Sequence, residues 1–200
     1  MTNISQAKFK NYSTKDKIIC IAERLFTKYS YATVSMNDIA NMVKTTKAAL
    51  YYHFKDKEEL FFYVLNEAFS EFSEALEQVL KKDISLEKKF NKLLITYIDF
   101  SLKRKDLAKL MMQGLSKKDK KIIQLLGKIK NKIIDLIEPL IKEILQYRGF
   151  SKSTDSRLVT FLIIGVLNTV ITSDIVMKYS DWDAEQIADQ ITALVFSTNK

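Results

Sequence analysis

Ser35-Met36-Asn37-Asp38-Ile39-Ala40-Asn41-Met42-Val43-Lys44-Thr45-Thr46-Lys47-Ala48-Ala49-Leu50-Tyr51-Tyr52-His53-Phe54 decides the fold, because it encodes two very short helices and the tight turn between them. Ser35 opens the first. Asp38 stands three positions on to complete a capping box, and Met36, Ile39, Ala40 and Val43 form the buried face. After Lys44 and Thr45, Thr46 caps the second, which runs to about His53 with Leu50 as its inward anchor. Phe54 closes the unit.

Upstream, Ile18, Ala22, Leu25, Phe26 and Tyr29 make one apolar stripe and predict a helix over about Thr14 to Tyr29. Cys20 falls inside that run, where a buried, inert thiol is expected. Residues 1–13 have no hydrophobic period and read as a flexible arm carrying Lys8 and Lys10. Downstream, Asp56 with Glu59 opens a fourth helix, whose stripe of Leu60, Phe61, Val64, Leu65, Ala68 and Phe72 continues towards Leu80.

Longer helices follow, and the domain division is expected there, with residues 14–60 on one side and 61–200 on the other. Ser85 starts a helix reaching about Leu102, and Leu107 to Leu115 is a short segment. Ser116 with Asp119 opens a long helix to about Tyr147 that Pro139 should kink. Gly149 is its expected stop. One more helix covers about Thr154 to Tyr179, and a last is opened by Asp183 with Gln186. The sum is an all-α chain of about nine helices.

Composition agrees. Only 4 Gly and 1 Pro in 200 residues leave nothing for the turns of a β fold. The net charge of +8 favours an anionic partner without naming it. One cysteine excludes an internal disulfide framework, Met1 to Ser13 has no signal-peptide core, and the apolar run Leu158 to Ile171 is too short to cross a bilayer. A cytoplasmic protein with no membrane partner is expected.

The two short helices have the proportions of a unit in which the second enters the DNA major groove and the first crosses the backbone. With Leu50 inward, Thr46, Lys47 and Ala49 face outward together with Tyr51 and His53. Lys47 can reach a phosphate or a guanine edge. Tyr52 is expected to pack its ring in the small core, leaving Tyr51 on the DNA side. A surface lysine on a short helix is also what any helical bundle offers.

Three blocks narrow the choice: Ala22-Glu23-Arg24-Leu25-Phe26, Val34 to Ala40, and Leu50-Tyr51-Tyr52-His53-Phe54-Lys55-Asp56-Lys57-Glu58-Glu59-Leu60. Thr14 to Phe69 resembles the DNA-binding domain of the TetR family of transcriptional regulators. By position, the resemblance implies that Thr33 or Ser35 contacts phosphate and that Thr45, Thr46, Lys47 and Ala49 face the groove. It also implies that Tyr51 and His53 touch backbone or bases, and that Lys57 clamps a phosphate. Lys44 stands where the family often has Gly, and Ala49 where it often has Thr or Ser. The first suggests a turn without a left-handed glycine or a lysine placed for phosphate; the second removes a hydroxyl contact.

For the downstream helices the resemblance is one of architecture. It implies a small-molecule effector and a homodimer formed by the last two helices, which the wide apolar face of Leu158 to Ile171 also favours. Asn168 inside that run reads as a register-setting polar contact, a ligand contact or a satisfied core amide. Phe90, Tyr97, Met111, Met112, Phe161 and Asn168 are the candidate ligand residues, although aromatic and Met side chains also make ordinary core. Lys103 to Lys132 carries a surplus of nine positive charges, a solvated face or the attraction for an anionic effector such as a fatty acyl thioester.

The expected function is a transcriptional regulator, a repressor released from a palindromic operator by a small ligand. No cofactor or metal is expected, since His53 is the only histidine, and no catalytic constellation supports an enzyme. The alternative is a helical protein-interaction module, which leaves the outward Lys47, Tyr51, His53 and Lys57 unexplained.

Overall fold

The computed structural model describes residues 12–29, 31–104, 120–172 and 183–197. Among these it holds eight helices and no strand: α1 (Thr14–Tyr29), α2 (Met36–Val43), α3 (Lys47–His53), α4 (Lys57–Leu80), α5 (Leu86–Lys103), α6 (Lys120–Tyr147), α7 (Ser156–Thr172) and α8 (Ala184–Phe196). The expected segment Leu107 to Leu115, the Ser116 and Asp119 cap, Met111, Met112 and most of the 1–13 arm lie outside the described residues. So does the end of the helix expected to reach Tyr179.

Helix boundaries follow the caps. Ser35 accepts from the Asp38 amide while Asp38 accepts from the Ser35 amide, and Asp183 and Gln186 do the same before α8. Thr46 accepts from Ala49 N at the start of α3, and Ser85 from Lys88 N at the start of α5. Asp56 accepts from Glu59 N at 2.8 Å, but the Glu59 carboxylate reaches back to Lys55 N and not to Asp56. Before α7, Asp155 receives the amides of Arg157 and Leu158. Helix α6 runs unbroken through Pro139. It ends on Gly149, whose φ of 72° lets its own N–H and that of Phe150 turn back onto Gln146 and Leu145.

The chain parts into two compact units inside α4, Met1–Ala68 and Phe69–Lys200, further along than the boundary expected after residue 60. In the first, α1 packs on α2 and α2 on α3. Its core is Ile18, Leu25, Phe26, Ile39, Leu50 and Phe61, with Phe26 and Phe61 in edge-to-face contact at 5.1 Å. Cys20 is exposed, so the expectation of a buried thiol is wrong; the core stripe of α1 passes through Ile18, Ile21 and Ala22 and leaves it outside. In the second unit α5 lies along α8 and α6 along α7, with α5 also meeting α6 and α7. No helix among the described residues is long and apolar enough to cross a membrane.

Candidate nucleic-acid interface

Helix α3 has only seven residues, and one buried anchor orients all of them. Leu50 is 0% exposed, so residues about 100° apart along the helix fall into flanks and a crest around it. Lys47 and Tyr51 form an exposed flank, with the ammonium 5.8 Å from the Tyr51 ring centre. Ala49 and His53 form the opposite, half-buried flank. The crest, diametrically opposite Leu50, is Ala48 and Tyr52.

This corrects the expected split of the two tyrosines. Tyr52 is 86% exposed and Tyr51 43% exposed, and neither packs in the core. Tyr52 meets His53 edge to face at 5.2 Å. Its hydrophobic ring suggested burial, but its place two residues from Leu50, some 200° round the helix, sends it outward. That spacing was the missed signal, for Ala48 as for Tyr52.

The turn before α3 is held by Lys44, whose φ of 61° and ψ of 46° are left-handed and whose N–H closes onto Ala40 and Asn41. The glycine-type conformation is present without the glycine. Thr45 N–H bonds to Ala40 O at 3.0 Å and is half-buried; Thr46 is exposed. Their hydroxyls precede the first turn of α3.

At the start of α2 the polar groups are engaged with one another. Thr33 Oγ1 donates to Tyr29 O. Ser35 donates both its hydroxyl, at 2.6 Å, and its N–H, at 2.8 Å, to one Asp38 oxygen. Those two bonds, the hydroxyl's first, hold the Asp38 carboxyl below its usual range. Lys57, expected at a phosphate, directs Nζ to Tyr31 O at 2.9 Å and Val34 O at 3.0 Å. Around α3 the structure thus brings together Thr45, Thr46, Lys47, Ala49, Tyr51 and His53, while Thr33, Ser35 and Lys57 form a separate cluster at the α1–α2 connection.

The candidate ligand residues of the second unit do not form one group. Tyr97 Oη donates to Asn168 Oδ1 at 2.9 Å, joining α5 to α7, and burial pushes the phenol up to about 12. Asn168 therefore has a core partner. Phe72 lies against Tyr97 at 5.3 Å and Phe100 at 4.5 Å. Phe90, fully buried, sits seven residues up α5 near Phe196. Phe161 is 59% exposed beside Leu158, Leu162 and Val166, on a face of α7 turned away from the core. Helix α7 is apolar nearly all round, so its period could not separate inner from outer positions.

Comparison with known proteins matches this geometry. Residues 18–64 match the model for bacterial regulatory proteins of the tetR family, and residues 65–198 match that for the YsiA-like protein C-terminal region. The chain is 32% identical over 134 residues to the HTH-type transcriptional regulator QacR of Staphylococcus aureus, covering 64% of this chain and 69% of that one. Its fold matches the fatty acid degradation regulator FadR of Bacillus halodurans with a TM-score of 0.78 at 19% identity, over 96% of this chain and 98% of that one. FadR of Bacillus subtilis, solved in complex with stearoyl-CoA, matches with a TM-score of 0.75 at 19% identity, over 90% and 97%. A seven-residue recognition helix behind a three-residue turn, on a three-helix core matched through residue 64, is the reading head of a bacterial regulator, and the chain belongs to the TetR family.

Proposed function

We propose that this protein is a repressor that holds a palindromic operator as a homodimer and leaves it when an acyl thioester binds in the second unit. The observation that carries the DNA half is α3 itself. Its outward face of Lys47, Ala48, Tyr51 and Tyr52 is presented by a helix with a single buried anchor. Short side chains at Thr46, Ala48 and Ala49 allow close approach to base edges, Lys47 supplies charge, and the tyrosine rings and hydroxyls suit sugar and phosphate. Thr33, Ser35, Thr45 and His53 complete the proposed contact set.

The dimer is supported by α7. Leu158, Phe161, Leu162 and Val166 recur on one face and are each more than half exposed, and Leu194 of α8 is 80% exposed. An apolar stripe of that size on α7, with Leu194 exposed on α8, fits a second copy of itself across a two-fold axis. The effector is supported by charge and by likeness: the basic stretch from Lys103 to Lys132 suits the phosphates of coenzyme A, and FadR of Bacillus subtilis holds stearoyl-CoA on the same architecture. The Tyr97–Asn168 pair is a polar group of the second unit's interior that an acyl thioester could meet.

Selection from random DNA should return a two-fold-related site with half-sites about 34–36 Å apart or a multiple of it. Adding stearoyl-CoA to the complex should then release it. Recovery of no palindrome would overturn the DNA reading, and retention of the operator at saturating acyl-CoA would overturn the effector.

A further inference from the structure

Gly165 stands on the centre line of the exposed face of α7. At about 100° per residue, Leu158, Gly165 and Thr169 fall within about 40° of one another, Leu162 lies just beside them, and Phe161 and Val166 form the two rims. A Cβ at Gly165 would meet no neighbouring helix among the described residues within 4 Å. Nothing in its own subunit therefore requires a glycine there, although glycine in a helix interior weakens the helix relative to alanine. The result is a gap in an otherwise continuous apolar stripe, bordered along the helix by Phe161, Leu162, Val166 and Thr169.

Polar groups along the stripe are already engaged inside the chain. Thr169, although exposed, donates its hydroxyl to Gly165 O at 2.9 Å, so its one donor is satisfied without water. Asn168 accepts from Tyr97. Charge points to a second copy as what covers this face. A net charge of +8 opposes self-association over most of the surface, but Leu158–Thr172 and Gln190–Ser197 contain no charged residue. There, like-charged copies can meet without desolvating a charge. The second of these stretches holds Leu194, which at 80% exposed is the most exposed large aliphatic side chain among the described residues.

The chain thus carries one projecting leucine and one gap, each without a counterpart in its own subunit. In an isologous pair residue i of one copy meets j of the other while j meets i, so a single such contact forms twice. We propose that in the homodimer Leu194 of each copy seats in the gap over Gly165 of the other, and that this reciprocal contact sets how closely α7 and the facing α8 approach. The proposal rests on the dimer reading above. It makes both residues determinants of pairing, because a related subunit with a side chain in place of Gly165 leaves the leucine no room.

Sedimentation equilibrium of the fluorescently labelled full-length protein gives the dimer dissociation constant for wild type, Gly165→Ala, Leu194→Ala and the double variant. Gly165→Ala should weaken the dimer about tenfold or more, since the added methyl overpacks both copies of the contact. Its circular dichroism should show no less helix than wild type. That gain is common to monomer and dimer and drops out of the dissociation constant. Leu194→Ala should weaken the dimer about 10²-fold or more by removing two buried leucines. With Leu194 shortened the gap has room for a methyl, so the double variant should stay within about twofold of Leu194→Ala alone. An equal cost of Gly165→Ala in both backgrounds would put another group over Gly165, and a wild-type dissociation constant in either single variant would leave the gap or the leucine in solvent; each overturns the proposal. A wild type that sediments as a monomer throughout would show instead that the dimer reading has failed.

Discussion

The DNA-binding unit and the second unit are both built of helices but tied by different kinds of polar bond. In Met1–Ala68 the polar links are mostly local: Ser35 with Asp38, Thr46 with Ala49, Asp56 with Glu59, each three residues apart. Phe69–Lys200 has such caps at Ser85, Asp155 and Asp183, and adds polar links between helices distant in sequence. Asn91 donates to Asp189 and Thr192, Tyr97 to Asn168, and Arg148 to the carbonyls of Phe196 and Ser197 at the end of α8. The surfaces differ in the same way. The first unit leaves a mixed face of cation, methyl and phenol on α3, suited to a polyanion of fixed geometry. The second leaves an aliphatic and aromatic stripe on α7, which only another apolar surface satisfies. Local capping makes a rigid reading head; long-range polar pairs fix which helices meet and leave an outer face for assembly.

The sharpest way to break that contrast is to put charge on α7. Leu162→Glu is expected to give a monomer by sedimentation equilibrium while the helical circular-dichroism signal is retained, because the exposed site tolerates a carboxylate in one subunit but not opposite its own copy. Losing the link between two half-site contacts should weaken operator binding by about 10²–10⁴-fold. A variant that stays dimeric with unchanged affinity would show that this stripe is not the assembly face.

The contrast also explains what is legible in the sequence. A capping residue and its partner lie in one short window, so Ser35, Thr46, Ser85 and Asp183 are enough to place the starts of α2, α3, α5 and α8. The Tyr97–Asn168 bond spans 71 residues, and no local pattern announces it. The exposure of Tyr52 is legible, because its helical angle from Leu50 outweighs the hydrophobicity of its ring. That of Phe161 is not, because a helix apolar all round gives no phase. Lys57 is legible as part of α4, but its tie to Tyr31 and Val34 depends on where the α1–α2 connection passes, which spacing does not encode.

A smaller effect tests the long-range link of the second unit. Tyr97 is 5% exposed, and burial raises its phenol from 10.0 to about 12. The neutral form is the one the fold favours, so this stabilisation is full below pH 10 and is lost as pH rises through about 12. At roughly 1.4 kcal/mol per unit, the loss is at most about 3 kcal/mol. Urea midpoints measured from pH 9 to 12 should fall for wild type and fall less steeply for Tyr97→Phe, which has no phenol to ionise. Parallel slopes would mean that Tyr97 is not held in its neutral form.

The smallest expected change returns to the turn of the reading head, where two effects of one substitution should have opposite signs. Lys44 occupies the left-handed region at φ 61°, a conformation that costs a side-chain-bearing residue about 1 kcal/mol relative to glycine. Lys44→Gly should therefore raise the unfolding free energy by about 1 kcal/mol, read from the denaturation midpoint. Strain of this kind persists where the side chain contributes something else, and Lys44 is an exposed cation two residues before the cap of α3. The same variant should bind its operator more weakly, with the salt slope reduced by about 0.9, the value for one phosphate contact. If stability rises and the slope does not move, Lys44 is only a poor residue for its turn. If the slope falls as expected, the left-handed turn that joins α2 to α3 also carries a DNA contact, and part of the stability of the reading head has been given up for affinity.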